Sequence, residues 1–312
     1  MIRDIRRADA TRLFDLMDRE FPEESALLGN RPEGLEKVLR RVFRWDTRFI
    51  IGLLRLFGRP IFRALIVEAD GVVVATTMVT FPPVSSFVSN VVVDPAYRRR
   101  GYARRMLEEA RRTAQQAHRK YIALDVLETN TRARALYDSI GYRPLRARTQ
   151  FVHDTAGQFG PTPPSNAAIR SFRTTDARAL AEIVRRQTPP AVEEVLPVSE
   201  RAFAVSRMES RMLASEQASW VIDRGRGPEG HVGATVSEVF TAGHITAPVL
   251  SESVEADLAD SLVRTAGAWC AAHHTPRILS MVADDNVRGR EALERAGFRH
   301  AFALWTLYRP VD

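Results

Sequence analysis

The chain has 312 residues, of which 45% are hydrophobic and 27% charged, so it is long enough for two globular domains and too apolar for an intrinsically disordered protein. A single cysteine, Cys270, excludes an intramolecular disulfide, and no apolar run reaches transmembrane length without an interrupting charge. The net charge of +7 is uneven: residues 1–156 hold 28 Lys+Arg against 19 Asp+Glu, and residues 157–312 hold 17 against 19. Any polyanionic ligand is therefore expected on the first half. The N-terminus lacks a signal-peptide core, and with the lone cysteine this predicts a cytoplasmic protein.

In chain order, Ile5-Arg6-Arg7-Ala8-Asp9 reads as a strand running into a helix capped by Asp9 or Thr11, with Leu13, Phe14, Leu16 and Met17 on one apolar face. Residues 33–57 read as one long helix or two, with Arg40, Arg41, Arg44, Arg48 and Arg55 between apolar positions. A basic amphipathic helix can lie on a membrane surface, but a packing or lid helix is the preferred reading. Residues 61–68 form a strand, Asp70-Gly71 supplies the positive φ angles of a hairpin turn, and 72–81 is the returning strand. Phe87 to Val93 is the next strand. Ala103 to Gln116 is a helix with Met106, Leu107 and Ala110 on one face. Tyr121 to Glu128 is a strand, Asn130 or Thr131 caps a helix running to Ser139, Gly141 stops it, and Tyr142 to Val152 is a last strand. The order β-α-α-β-β-β-α-β-α-β describes a mixed α/β domain.

The stretch from His153 to Asn166 is rich in Gly, Pro, Thr and Ser and reads as a linker. The pattern then begins again. Phe172-Arg173-Thr174-Thr175-Asp176-Ala177 echoes Ile5-Arg6-Arg7-Ala8-Asp9-Ala10, and Asn286 leads to Gly297 at the same spacing that takes Asn130 to Gly141. The two asparagines stand 156 positions apart, half the chain. We read an internal duplication, with domains at 1–153 and 170–312 joined by a linker at 154–169.

The chemistry concentrates at Arg98-Arg99-Arg100-Gly101-Tyr102-Ala103, between the strand ending in Val91-Val92-Val93 and the following helix. Gly101 lets the backbone approach a ligand, the first helical N–H groups point outward, and the arginines add positive charge, an arrangement suited to phosphate. This stretch resembles the acyl-CoA pyrophosphate loop of the GNAT (GCN5-related N-acetyltransferase) superfamily, whose pattern is [RQ]-x-x-G-x-[GA]. Val91-Val92-Val93-Asp94-Pro95 is similar to the end of that family's fourth strand. The resemblance covers 60–145 strongly and 171–309 weakly. It implies two tandem GNAT folds, each a mixed, mostly antiparallel sheet flanked by helices, and an acyl-CoA-dependent N-acyltransferase that moves acetyl from acetyl-CoA to an amine acceptor in a ternary complex.

The same resemblance implies roles for individual residues. Val91, Val92 and Val93 would offer backbone groups to the pantetheine arm, where the fourth and fifth strands splay. Arg98, Arg99, Arg100, Gly101, Tyr102, Ala103 and Arg104 would hold the pyrophosphate. Asn130 would contact CoA, and Tyr137 would meet the cofactor and act as general acid to the departing thiolate. Region 33–57 would shape the acceptor site. Candidates for the base are Asp125, Glu128, Ser89 and Asn90, with none singled out. In the second half, sliding by 156 sets Val254 to Ala259 opposite Arg98 to Ala103, replacing glycine and arginines by carboxylates, and sets Leu293 opposite Tyr137. That half is expected to keep the fold without the cofactor site. No metal is expected, since His273-His274 lacks partners at ligand spacing. Alternative readings are a non-catalytic acyl-CoA-binding regulatory module and, ranked last, a nucleic-acid or membrane-surface binder. The acceptor and the oligomeric state are not legible.

Overall fold

The computed structural model describes residues 1–29, 62–155, 159, 167–203, 210 and 214–312. The basic segment expected to be helical over 33–57 and the linker residues 156–158 and 160–166 lie outside these. The chain forms two compact units: Met1–Ala26, Leu39–Leu145 and Trp305–Asp312 make the first, and Leu27–Val38 with Arg146–Leu304 the second.

In the first unit, β1 (Ile2–Asp4), α1 (Ala10–Glu20) and the start of α2 (Pro22–Leu28) precede three antiparallel strands, β2 (Phe62–Ala69), β3 (Val72–Thr80) and β4 (Ser85–Val93). The β2–β3 hairpin closes through Asp70 and Gly71 at φ +53° and +74°, the geometry expected from the sequence. Next come α3 (Tyr102–Gln116), β5 (Tyr121–Leu127), which runs parallel to β4, and α4 (Thr131–Ser139). Met106, Leu107, Ala110 and Ala114 recur at helical spacing along α3 and are fully or almost fully buried. Leu107, Ala110 and Ala114 pack on Val79, Val88, Ile122 and Leu124, which line one face of the sheet, and Met106 packs on Val67, Val74 and Ala75.

The second unit holds β6 (Arg143–Asp154, from Arg146 on), β7 (Ile169–Ser171), α5 (Ala177–Gln187), α6 (Pro190–Val195), β8 (Ser215–Asp223) and β9 (Pro228–Ser237). They are followed by β10 (Gly243–Ile245), β11 (Val249–Leu250), α7 (Ala256–Ala272), β12 (Arg277–Ala283), α8 (Val287–Arg295) and the first half of β13 (Arg299–Pro310). Each unit is thus a mixed, mostly antiparallel α/β fold.

The units divide the chain differently from the expected 1–153 and 170–312. Residues 146–154 pair with β12, from Arg148↔Ala283 to Asp154↔Arg277, and so belong to the second unit. Residues 305–312 belong to the first, where β13 neighbours β5, Val311 N–H donates to Lys120 O at 3.0 Å, and Leu307 and Val311 enter the core. The strand that follows the Asn-capped helix in each half therefore completes the fold of the other half.

Duplication is visible in matching side-chain clusters. Arg3 grips Asp9 through two hydrogen bonds of 2.7 and 2.9 Å and also pairs with Glu68, while the Arg6 N–H donates to Asp9 at 2.7 Å. Arg170 does the same to Asp176 at 2.8 and 2.9 Å and pairs with Asp223, and Arg173 N–H donates to Asp176 at 2.7 Å. Asp9 therefore ties the chain entry to its arginine and makes no side-chain cap to α1, contrary to the cap expected at Asp9 or Thr11.

The Arg3 hydrogen bond is the main influence holding the Asp9 carboxyl below the usual carboxylate range against the opposing effect of burial, and Arg170 does so for Asp176. A depressed folded-state pKa stabilises the fold fully above the unfolded value of about 4, and that stabilisation is lost as pH falls below it. Arg3→Ala and Arg170→Ala are each expected to cost about 1–3 kcal/mol at pH 7 and clearly less at pH 3, as read by urea unfolding at the two pH values.

Candidate acyl-CoA site

The site begins where β4 and β5 part. They pair in parallel for four steps, Ser85↔Tyr121 to Val88↔Leu124, and the pairing ends there although β4 continues to Val93 and β5 to Leu127. The cause is local to β4. Asn90 adopts φ +55°, and the β3–β4 register shifts between Thr76 and Met78, the mark of a bulge that bends the strand. Past the bulge, Val92 stays buried and paired to Thr76, while Val91 and Val93 are half-buried. A wedge opens between the strand ends, flanked by backbone groups that no longer pair with one another.

Beyond Val93, buried Asp94 organises the turn. Its carboxylate accepts the Ala96 N–H at 3.0 Å, Arg12 Nη2 at 2.6 Å and Arg19 Nη2 at 3.1 Å. Burial acts to raise its pKa, but these donors outweigh it and hold the carboxyl below the usual range. The chain then passes through Arg99 at φ +66° and Gly101 at φ +76° into α3. Gly101 caps the helix without a side-chain bond, and the first helical donor is Arg105, to Gly101 O at 3.1 Å. The N–H groups of Tyr102, Ala103 and Arg104 therefore have no helical acceptor. A Cβ built on Gly101 would meet nothing within 4 Å, so glycine serves here for its backbone angle, and there is room for a ligand over the helix end.

The arginines differ from one another. Arg99, Arg100 and Arg104 are exposed at the helix N-terminus. Arg100 lies 5.0 Å from the centre of the Tyr97 ring, and Arg104 donates to Ser139 Oγ at 2.8 Å. Arg98 is turned inward: it pairs with Glu20 of α1 and donates from Nε to Val93 O at 3.1 Å, bracing the turn. Tyr102 is half-buried, with the Arg105 guanidinium 4.8 Å from its ring centre.

On α4, the Asn130 side chain accepts the Ala133 N–H at 3.0 Å, the cap expected of it. Tyr137 is 6% exposed, packed beside Tyr142 with ring centres 5.8 Å apart. Burial pushes its phenol up to about 12, so the hydroxyl keeps its proton at neutral pH. Among the candidate bases, Asp125 is half-buried on β5, and Glu128 lies past the strand end and is exposed.

In the second unit the corresponding helix start has different neighbours. Glu255, not Asp257, is the N-cap of α7, so the residue opposite Gly101 lies two positions before the one that sliding by 156 selects. Its carboxylate is held by Arg224 at 2.8 and 3.0 Å. The strand after β10 breaks at Pro248, whose carbonyl accepts the Asn286 side chain at 3.0 Å. A Cβ on Gly289 would lie 2.8 Å from the same carbonyl. Arg288 donates to Glu252 O at 2.9 Å and to Val254 O, crossing the loop before α7. Leu293 stands where Tyr137 stands in the first unit: Phe298 N–H bonds to Leu293 O as Tyr142 N–H bonds to Tyr137 O.

A bulged, splayed strand pair followed by an arginine-rich helix start defines the class: a GNAT fold, present in two copies. A GCN5-related N-acetyltransferase from Sphaerobacter thermophilus superposes with a TM-score of 0.66 at 18% identity, covering 100% of this chain and 96% of that one. A tandem GNAT protein from the clavulanic acid biosynthesis pathway gives 0.57 at 18% identity, covering 80% and 83%. A putative acetyltransferase from Pyrococcus horikoshii gives 0.56 at 15%, covering 99% and 89%. At such identities the likeness is one of fold. Residues 12–142 match the acetyltransferase (GNAT) family model, so this stretch of the chain carries the family's signature. No curated protein matches the chain. Among the described residues, no helix is long and apolar enough to cross a membrane, and no group of three or more His, Cys, Asp or Glu is placed to hold a metal ion.

Proposed function

We propose that the chain is an acyl-CoA-dependent N-acyltransferase that moves acetyl from acetyl-CoA to an amine, with the first unit active and the second a non-binding partner fold. The observation that carries this reading is the end of β4–β5 pairing at Val88/Leu124, directly before a helix start whose three N–H groups lack helical acceptors. In it, Val91 and Val93 present backbone groups to the pantetheine arm. The N–H groups of Tyr102, Ala103 and Arg104 take the pyrophosphate, with Arg99, Arg100 and Arg104 adding charge and Gly101 the backbone angle. Val92 and Arg98 hold the wedge and the turn in shape rather than touching the ligand. Asn130 fixes the start of α4, and that helix sets Tyr137, still protonated at neutral pH, to donate to the departing sulfur. Attack is direct, with no acyl-enzyme: Cys270 is buried in the second unit with its thiol pushed up to about 12, unsuited to carry an acyl group.

The test is thiol release from acetyl-CoA against a broad amine panel. Tyr137→Phe is expected to leave CoA affinity within about twofold and to lower kcat about 10- to 100-fold, since only a transition-state proton is lost. Affinity for CoA with no thiol release from any amine would instead identify a binding module.

A further inference from the structure

The first long helix of each unit ends against the strand that leads to the cofactor turn or its counterpart, and the two units make that contact differently. α1 and α5 each run for 11 residues behind the repeated aspartate, which makes Glu20 and Gln187 equivalent last residues. Register makes Val93 the counterpart of Val249: Val67 and Val93 flank Ala75 as Val221 and Val249 flank His231. In the second unit Gln187 Nε2 donates directly to the carbonyl of the next residue, Leu250, at 2.7 Å. In the first unit the strand end is reached through an ion pair: Glu20 holds Arg98, whose Nε donates to Val93 O at 3.1 Å. Asp94 stands where the second unit has the buried Leu250, and ties Arg12 and Arg19 of α1 to the same turn at 2.6 and 3.1 Å. A neutral amide therefore suffices to hold helix to strand. Partly desolvated carboxylates are costlier than an amide, and here they belong to the unit with the arginine-rich turn.

We propose that α1 is a clamp on the acyl-CoA turn, with Glu20 a positioning residue that acts through Arg98 and Asp94 one that acts through Arg12 and Arg19, so that filling the pyrophosphate site and fixing α1 are one linked event. This rests on the reading of that turn as the acyl-CoA site. Asp94 and Arg98 bracket the turn just before Arg99 and Gly101, whose positive φ angles aim the N–H groups of Tyr102, Ala103 and Arg104. Both ends of that segment are bonded to one helix, so a shift of the turn moves α1 or breaks charge-assisted bonds. By linkage, a ligand that favours the held turn firms α1 by the same factor by which α1 improves ligand binding. A Glu20 that only competed with phosphate for Arg98 would have the opposite effect, and its removal would tighten CoA binding.

The experiment combines calorimetry with CoA and hydrogen exchange with and without CoA on the full chain, with urea unfolding as the control for folding. In the wild type, CoA is expected to slow exchange of the α1 amides about threefold or more. Glu20→Ala is expected to weaken CoA about five- to twentyfold and to abolish that slowing. Arg98→Ala should weaken CoA by a similar factor, and adding Glu20→Ala to it should cost less than about twofold more, because the two residues act as one unit. Glu20→Gln, which copies Gln187 of the second unit, is expected to keep the wild-type urea midpoint and still bind CoA about threefold or more weakly than the wild type. A Glu20→Gln chain closer than that to wild-type affinity, or tighter, overturns the role of Glu20. A wild-type chain that binds CoA with α1 exchange unchanged overturns the clamp without any variant and leaves the acyl-CoA reading intact. A wild-type chain that binds no CoA overturns both.

Discussion

Deleting residues 305–312 is expected to unfold the first unit and to spare the second. These eight residues follow the whole second half in sequence, yet Thr306 and Val311 are 1% exposed and Leu307 5% exposed within the first unit's core. Burial of Leu307 and Val311 is worth about 1.5–3 kcal/mol each. Removal also leaves β5 without its neighbour on the side away from β4, the Lys120 carbonyl without the Val311 N–H, and Arg111 without the Val311 carbonyl. A loss of roughly 5 kcal/mol or more compares with the whole stability of an ordinary domain, about 5–15 kcal/mol. Hydrogen exchange should show β2, β3, β4 and β5 exposed while β8, β9 and β12 stay protected. Uniform protection in the shortened chain would show that the last strand is dispensable.

Gly101→Asp is expected to weaken CoA binding at least 100-fold without unfolding the protein. The residue sits at φ +76°, where a side chain is disfavoured by about 1–2 kcal/mol but aspartate and asparagine are among the better tolerated. Its Cβ would point into open space, so the substitution causes no clash within the protein. What it adds is a carboxylate beside three N–H groups disposed to receive phosphate, where it competes as an acceptor and repels the ligand. Gly101→Asn carries the same backbone cost and nearly the same shape without the charge. It should bind CoA at least tenfold more tightly than Gly101→Asp, by calorimetry at fixed ionic strength. Equal affinities would show that shape, not charge, governs this turn.

Local chemistry was the legible part of the sequence. Asp70-Gly71 announces a hairpin because that turn demands positive φ at both residues, and Asn130 announces a helix start because its side chain satisfies an otherwise orphaned N–H. The repeat was legible at Asn286–Gly297, which keeps both the cap and the helix stop. Long-range pairing was hidden. Nothing in Trp305 to Val311 alone says that it adds beside β5, since strand residues of this kind suit either sheet. Arg98 reads as a phosphate ligand until Glu20, far earlier in the chain, is seen to hold it. The Arg3–Asp9 and Arg170–Asp176 clusters left a signal, an arginine six positions before the repeated aspartate, that the echo beginning at Ile5 and Phe172 stops just short of. An ungapped slide fixed on Asn130 and Asn286 missed the Glu255 cap by two residues because α7 has 17 residues where α3 has 15.

The central claim is that one half of a duplicated fold kept the acyl-CoA site and the other closed it with Arg288, Asn286 and Glu255. Titration calorimetry of CoA into the full chain tests it most directly. One CoA per chain is predicted, lost in Gly101→Asp and unchanged in affinity in Glu255→Ala. Two per chain, or a single site that survives Gly101→Asp and responds to Glu255→Ala, would contradict it.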